Sequence, residues 1–511
     1  MMDPILLALD CGTTAVKAAA FAADGRMIAT AERANGALRR DGVRVEQDMT
    51  VTRDEAFAAL RDCVAQIDAV ARGRIVGLVL TGQGDGLWPV DAAGQPVGHA
   101  MTWLDGRARG LVAEMGPQLD AVQAITGSRP TAAAASLQLL WLQRHDPDRL
   151  AAIRHALRLK EWLLLCLTGQ IAGEPTAALP VWGRWQTGDV VAEVSDHLGL
   201  GRGIDLLPPF APVGQCRAPL SSAAAAAIGL SEGLPVLLGP GDVQATFIGM
   251  GLGTRPGVQR GSIFGTSSIH ACLQNDPSVM TEAPAGAMVQ RFALGEGYLC
   301  FHPSFNGATL LHHLARQFRD LPNPALPAWS GLILHPFLEP GGERAPWTDP
   351  DAKSAILGLT ASTTPAEIAW MGREALAFVA CHSHAMLGGR DGQQNGALSL
   401  GGGLAADPHF AQFLATTLGC PVQRNTAGHA GLRGLAAIGA RYLLGATAGD
   451  LGTRWLGPGG DSLAPQTGAV AEYAAAKFRT FTEILQAVMP LWAALSALRA
   501  QAETLTEQDP T

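Results

Sequence analysis

The sequence is poor in charge, in tyrosine and in long apolar runs. Charged residues make up 16% of its 511 residues, against 48% apolar ones. Intrinsic disorder needs the opposite balance and is excluded. The formal net charge is −8. That argues against a nucleic-acid or anionic-membrane partner, because either requires a basic footprint. Small phosphates stay open, since a few backbone N–H groups can hold them. None of the eight cysteines forms a CxxC pair. A disulfide framework or zinc knuckle is therefore not indicated, and reduced thiols are expected. Met1–Asp10 lacks the basic stretch and long apolar run of a signal peptide. Runs such as Trp162–Leu167 fall far short of the ~20 residues that a bilayer demands. These absences together point to the cytoplasm. No Gly-Lys dipeptide occurs, so a Walker A loop and an ordinary P-loop enzyme are excluded.

What is present is length and repetition. The chain is too long for one ordinary core, so two domains are expected, with a C-terminal appendage. Pro4–Asp10 is an apolar run that ends in Asp and meets the turn Cys11–Gly12–Thr13–Thr14. Val16–Ala22, the turn Asp24–Gly25 and Arg26–Ala31 then read as an antiparallel meander. Helical spacing predicts a helix within Thr52–Ala71, and Ile75–Leu80 reads as a buried strand. From residue 258 the opening recurs: strand Val258–Phe264, turn Gly265–Thr266–Ser267–Ser268, strand Ile269–Leu273. Further helices are predicted over Ala366–Met386 and Ala469–Ala500, with a short strand Ala397–Leu400. The boundary is set near residues 243–257, giving domains over 1–245 and 246–460 and a helical extension over 461–511.

Certain turns could carry chemistry. Glycine lets a backbone approach phosphate without a Cβ in the way. Gly12–Thr13–Thr14 offers that with two hydroxyls, and Asp10 before it could hold magnesium through water. A plain hairpin turn would look the same. Gly265–Thr266 sits in the same context, so the two turns could grip a polyphosphate from opposite sides of a cleft. Gly401–Gly402–Gly403 joins a strand to a helix containing Phe410 and Phe413 and could pass an adenine ring, although a simple turn explains it as well. Gly82–Gln83–Gly84–Asp85–Gly86 presents Gln83 and Asp85 to sugar hydroxyls. Trp88 offers either an apolar face for a sugar or a core side chain. Trp103–Leu104–Asp105–Gly106–Arg107 adds an acid and a base, or a surface salt bridge. Asp242, after Gly239–Pro240–Gly241, is placed to take a proton from an attacking hydroxyl. An N-cap role would not conflict with that.

The ordered set Asp10–Thr14, Gly82–Gln83–x–x–Gly86, Gly241–Asp242, Gly265–Ser267, Gly342–Glu343–Arg344–Ala345–Pro346 and Gly401–Gly403 resembles the FGGY carbohydrate kinases, over residues 4 to 445. The resemblance implies an α/β fold of two ribonuclease-H-like domains, of the actin, Hsp70 and sugar-kinase type, with a cleft between them. It implies ATP and Mg²⁺, with Asp242 as catalytic base and Asp10 near the metal. Gly12, Thr13, Thr14, Gly265, Thr266, Gly307, Gly402, Gly403 and Asp407 would line the nucleotide. Gln83, Gly84, Asp85, Trp103, Asp105 and Asp242 would line the sugar. Xylulose kinases usually carry Met-His, and glycerol kinases Arg-Glu, where Gly84–Asp85 stands here. Val243 replaces the Asn or Gln that often follows the base. The string Thr81–Trp88 followed by Trp103–Leu104–Asp105 looks most like erythritol-type kinases. The expected partner is thus a four- or five-carbon polyol or ketose, with no nucleic acid and no membrane, and a homodimer is compatible. An actin- or Hsp70-like ATPase that needs no sugar, or an inactive sugar-binding regulator, are the rival readings.

Overall fold

The computed structural model describes residues 3–276, 280, 282–339, 342–388, 396–457 and 459–508. Strand β1 (Ile5–Cys11) is followed by β2 (Ala15–Ala22), β3 (Met27–Ala34), β4 (Ile75–Gly82), β5 (Arg217–Pro219) and β6 (Pro235–Leu238). They form one sheet in the order β5-β6-β4-β1-β2-β3. β1, β2 and β3 are antiparallel neighbours, whereas β1, β4 and β6 run parallel. β1 is apolar on both faces because both are covered. Ile5, Leu7 and Leu9 join a core under helix α1 (Met49–Ala65) and helix α2 (Leu159–Thr168), while Leu6 and Ala8 face a second core. Asp48 starts α1 by accepting from the N–H groups of Thr50 and Val51 at 3.0 and 3.1 Å.

The second half repeats the plan. β7 (Val258–Phe264), β8 (Ser268–Gln274), β9 (Met288–Arg291), β10 (Tyr298–Ser304), β11 (Ala397–Gly402), β12 (Val422–Arg424) and β13 (Ser462–Leu463) form a sheet in the order β9-β10-β8-β7-β11-β12-β13. Here β7, β8 and β10 are antiparallel, and β7, β11 and β12 are parallel. The strands β3-β2-β1-β4-β6 and β10-β8-β7-β11-β12 therefore have one topology, as two ribonuclease-H-like halves require.

Between the sheets lie helix α3 (Asp242–Gly249) and, from the other half, a helix over Ala430–Leu443. Their backbones touch. A Cβ on Gly249 would lie 1.8 Å from the Ala430 carbonyl oxygen, and one on Gly434 would lie 1.8 Å from that of Ala245. Side chains of both helices share a core with Leu6 and Val79 of the first sheet and Ala271 and Phe301 of the second. A smaller sheet of short strands, among them Arg44–Gln47, Gly86–Val90 and His155–Leu157, flanks the first half.

In chain order the later helices are α4 (Pro365–Leu387), α5 (Pro408–Leu418), α6 (Ala430–Leu443), α7 (Ala469–Val488) and α8 (Trp492–Gln508). The C-terminal stretch is part of the second core rather than an appendage to it. Ala474, Phe481 and Leu485 of α7 and Trp492 of α8 are buried there, and Lys477 pairs with Glu374 of α4 at 2.6 Å. By length and composition alone, Ala469–Leu505 is long and apolar enough to cross a bilayer, an 18-residue window within it reaching a mean hydropathy of 1.4. That exceeds what the apolar runs suggested, because leucine, isoleucine, valine and phenylalanine raise the mean while polar residues between them keep any run short. Glu472, Lys477, Arg479 and Glu483 interrupt it. All eight cysteines are free thiols, as expected.

Candidate functional site

The site forms where parallel strands end side by side. β1 and β4 are in register at Asp10–Thr81 and Cys11–Gly82. The turn after β1, the loop after β4 and the strap after β6 therefore emerge along one edge. Gly12 N–H donates to Ala15 O at 3.0 Å and closes the first turn. Asn35 Nδ2 donates to Gly12 O at 3.1 Å, and Trp103 Nε1 donates to Thr13 Oγ1 at 2.9 Å. Gln83 N–H donates to Cys11 O at 3.3 Å and ties the second loop to the first turn. Gly84 then faces the first residue of α3: a Cβ built on it would lie 3.5 Å from Asp242 Oδ1. Asp10 approaches the start of α6, where its Oδ2 lies 2.7 Å from where a Gly431 Cβ would be.

The electrostatics follow from this crowding. Burial, then the charge of Asp10, pushes the Asp242 carboxyl up to about 7, while the Val243 N–H at 2.9 Å pulls the other way. Burial raises Asp10 to about 6, against the opposing charge of Lys17. Burial also raises Asp85, opposed by Arg344 from the second half and by Arg158. Carboxylates held near neutrality invite either a proton or a cation. No group of three metal-ligating side chains occurs among the described residues. The donor set fits Mg²⁺ that keeps most of its waters and leans on Asp10 and phosphate oxygens.

The second half supplies matching turns. Gly265 N–H donates to Ser267 O at 2.9 Å, and Ala308 N–H donates to Gly265 O at 2.8 Å. Gly307 packs so close that a Cβ would lie 2.3 Å from the Ser267 carbonyl carbon. Gly402 pairs in register with Phe264, has φ 81°, and would place a Cβ 2.3 Å from Phe264 O. Only glycine fits there. Gly265, Thr266, Gly307, Gly402 and Gly403 thus share one end of the second sheet. Thr14, Thr266, Gly402 and Gly403 are exposed.

Asp105 and Asp407 were expected on the sugar and the nucleotide, but both spend their carboxylates inside the protein. Asp105 is 2% exposed, accepts from Val45 N–H at 3.0 Å and is ion-paired with Arg107 at 2.8 Å. Asp407 caps α5 through His409 and Phe410 N–H and pairs with Arg373 at 2.8 Å. Trp88 is a core residue with no exposure. Gln83 is 1% exposed and donates from Nε2 to Gln47 at 3.1 Å.

Other residues at the site had no role assigned from the sequence, although Glu343 and Arg344 fall in the Gly342–Pro346 motif. Arg158 lies behind the Gly82–Gly86 loop and is 2% exposed, and its Nε and Nη2 find no partner among the described residues. Glu343 accepts from Ser304 Oγ at 2.7 Å, Asn306 Nδ2 at 2.9 Å and Phe305 N–H at 3.1 Å, which fixes the segment that carries Arg344. Lys160, Glu174 and Thr176 brace the strap before Asp242. Spacing could not reveal the roles of Arg158, Lys160, Glu174 and Thr176, whose contacts join segments far apart along the chain.

Family models match both halves. One, for the FGGY family of carbohydrate kinases, N-terminal domain, covers residues 5–249. The model for the C-terminal domain of the same family covers residues 262–443. An erythritol kinase of Brucella abortus is 29% identical over 96% of this chain and 98% of its own length. A xylulose kinase of Streptomyces rubiginosus is 27% identical over 88% and 91%. Among solved structures, the fold is similar to a gluconate kinase of Lactobacillus acidophilus, with a TM-score of 0.85 and 20% identity over 96% and 100% of the two chains.

Proposed function

The chain belongs to the FGGY family of carbohydrate kinases, and from that premise we propose that it transfers the γ-phosphoryl group of ATP to a terminal hydroxyl of a four- or five-carbon polyol or ketose, such as erythritol, xylulose or ribulose. The observation that carries the proposal is the Asp242 carboxylate, half-buried at the start of α3, beside Gly84 of the loop after β4. Erythritol heads the preference because a match over nearly the whole of both chains is to an erythritol kinase. Gly84 leaves room beside Asp242 that a larger side chain would fill.

In this mechanism Asp85 holds the acceptor's hydroxyls, the Trp103 ring, its N–H committed to Thr13, borders the acceptor's apolar side, and buried Gln83 braces the loop from behind. Asp242 orients the terminal hydroxyl and accepts its proton as that oxygen meets phosphorus. Phosphoryl transfer through a loose transition state depends on alignment and charge neutralisation. The turns Gly12–Thr14 and Gly265–Thr266 hold the phosphate chain from opposite halves, and Gly307, Gly402 and Gly403 border the rest of the nucleotide. Asp10, with the phosphate oxygens, would hold Mg²⁺, which when bound would supply positive charge to the phosphoryl group. Approach of the two halves excludes water, which would otherwise accept the phosphoryl group.

An ADP-release screen over tetritols, pentitols, ketopentoses and glycerol tests the substrate class. Release with a tetritol or pentose-derived acceptor, and little without one, is expected. Equal release with and without every acceptor would favour an ATPase. Asp242→Asn is expected to stay folded and to lose about 10²–10⁴-fold in kcat.

A further inference from the structure

The strap that delivers Asp242 is three residues long: Gly239, Pro240 and Gly241. Such a segment has little stiffness beyond its single proline, yet each of its main-chain groups described here is claimed. Gly239 N–H donates to Leu80 O at 2.8 Å. Lys160 Nζ donates to Gly239 O at 2.8 Å, and Thr81 Oγ1 donates to Pro240 O at 2.5 Å. Gly241 N–H donates to Thr176 Oγ1 at 3.2 Å. The two ends of the strap are joined underneath. Thr176 donates from Oγ1 to Glu174 Oε1 at 2.6 Å and from its N–H to Oε2 at 2.8 Å. Glu174 in turn is in direct contact with Lys160 Nζ. A closed ring therefore runs from Gly239 O through Lys160, Glu174 and Thr176 to Gly241 N.

Stability alone does not account for this ring. The side chains of Lys160 and Glu174 have no solvent exposure. Burying such a pair is costly, and well-packed apolar replacements are often neutral or stabilising. What an ion pair supplies and an apolar pair does not is directed hydrogen bonding. Here that bonding ends on the two peptide groups that flank the bend before Asp242.

We infer that Lys160, with Glu174 and Thr176, is a positioning clamp for the transfer step: it holds the Gly239–Gly241 strap so that the Asp242 carboxylate meets the acceptor hydroxyl. This rests on the proposed role of Asp242. Lys160 does not touch the reacting atoms; it acts through the strap. Its surroundings agree with that role. Glu161, Cys216, Arg158 and Asp242 face it electrostatically, and burial draws its ammonium below the ordinary lysine range. Asp242 is faced by Asp10, Asp85 and Lys160.

The test compares Lys160→Met, Thr176→Val and Asp242→Asn in steady-state kinetics, with ATP and the acceptors of the screen, erythritol first. Misplacing a reacting group by 1 Å costs about 10²-fold. Lys160→Met should therefore lose about 10–100-fold in kcat, while KM for ATP and for acceptor stays within about threefold. Thr176→Val keeps the ion pair but loses both Oγ1 links, to Gly241 N–H and to Glu174 Oε1, so it should show a smaller loss of the same kind. Ethylamine should restore part of the turnover of Lys160→Ala without moving KM. The clamp is overturned if Lys160→Met keeps wild-type kcat, or if the loss lies in KM. Should the lysine variants not fold, Thr176→Val decides, and wild-type turnover in that variant overturns the clamp. Normal turnover by Asp242→Asn would reject the base, and the clamp with it. A dead Asp242→Asn beside a fully active Lys160→Met rejects the clamp alone.

Discussion

A carboxylate that accepts a proton must be ionised when the acceptor binds. Asp242 is pushed up to about 7 by burial and by Asp10, so it is only partly ionised at neutrality. The kcat/KM profile should rise with pH through about 7 and fall tenfold per unit below it. A flat profile between about pH 5 and 8 would remove Asp242 from the proton-accepting role. The same shift predicts stability. Folding raises this carboxyl from 3.8 to about 7, so the folded state binds the proton more tightly than the unfolded one. Ionisation therefore costs nothing below about pH 4, a growing amount up to about pH 7, and its full amount above. Asp242→Asn removes that cost. Urea denaturation should show a gain of about 1–2 kcal/mol at pH 8, allowing for solvent screening of a half-buried group. The gain should vanish near pH 4.

At the scale of elements, the contact between α3 and α6 matters most. Asp242 begins α3, so whatever moves that helix moves the proposed base. Gly249 and Gly434 let the two backbones meet without side chains between them. Gly434→Ala would force a Cβ to within 1.8 Å of Ala245 O, and the helices must part. The expected cost is about 1–3 kcal/mol, read from the urea midpoint. A loss of kcat larger than the loss of folded protein explains should accompany it. An unchanged midpoint would mean that α3 and α6 are not held by this contact.

For the whole molecule, the two halves share one core around α3 and α6, and in the proposed reaction the substrates would meet at the strand ends of both sheets. Closure of the halves, as proposed, would pivot about that common layer. Arg344 of the second half acts electrostatically on Asp85 of the first. Arg344→Met should weaken closure over the acceptor. Acceptor KM is expected to rise about tenfold with ATP binding little changed, and small-angle scattering should show less compaction on adding ATP and acceptor. Equal compaction in the variant and the wild-type protein would assign closure to other contacts.

The sequence by itself determined the strands, the turns and the duplication. Apolar runs that end in Asp-x-Gly-Thr or Gly-Thr-Ser and the Asp-Gly hairpin are local signals, because backbone conformation answers to the residues within a turn. Asp10, Gly84 and Asp242 were legible in this way. Asp105 and Asp407 looked equally suitable, since a carboxylate beside a turn reads alike whether it faces a ligand or an arginine. Arg107, two residues from Asp105, was open to the sequence as its partner, and the fold added the burial of that pair; only the tertiary structure brought Arg373 to Asp407. It alone gathered Lys160, Glu174 and Thr176 under the strap and set Arg344 opposite Asp85. Those partners lie far apart along the chain, and the ordering of charges inside a core depends on long-range packing that no local pattern encodes.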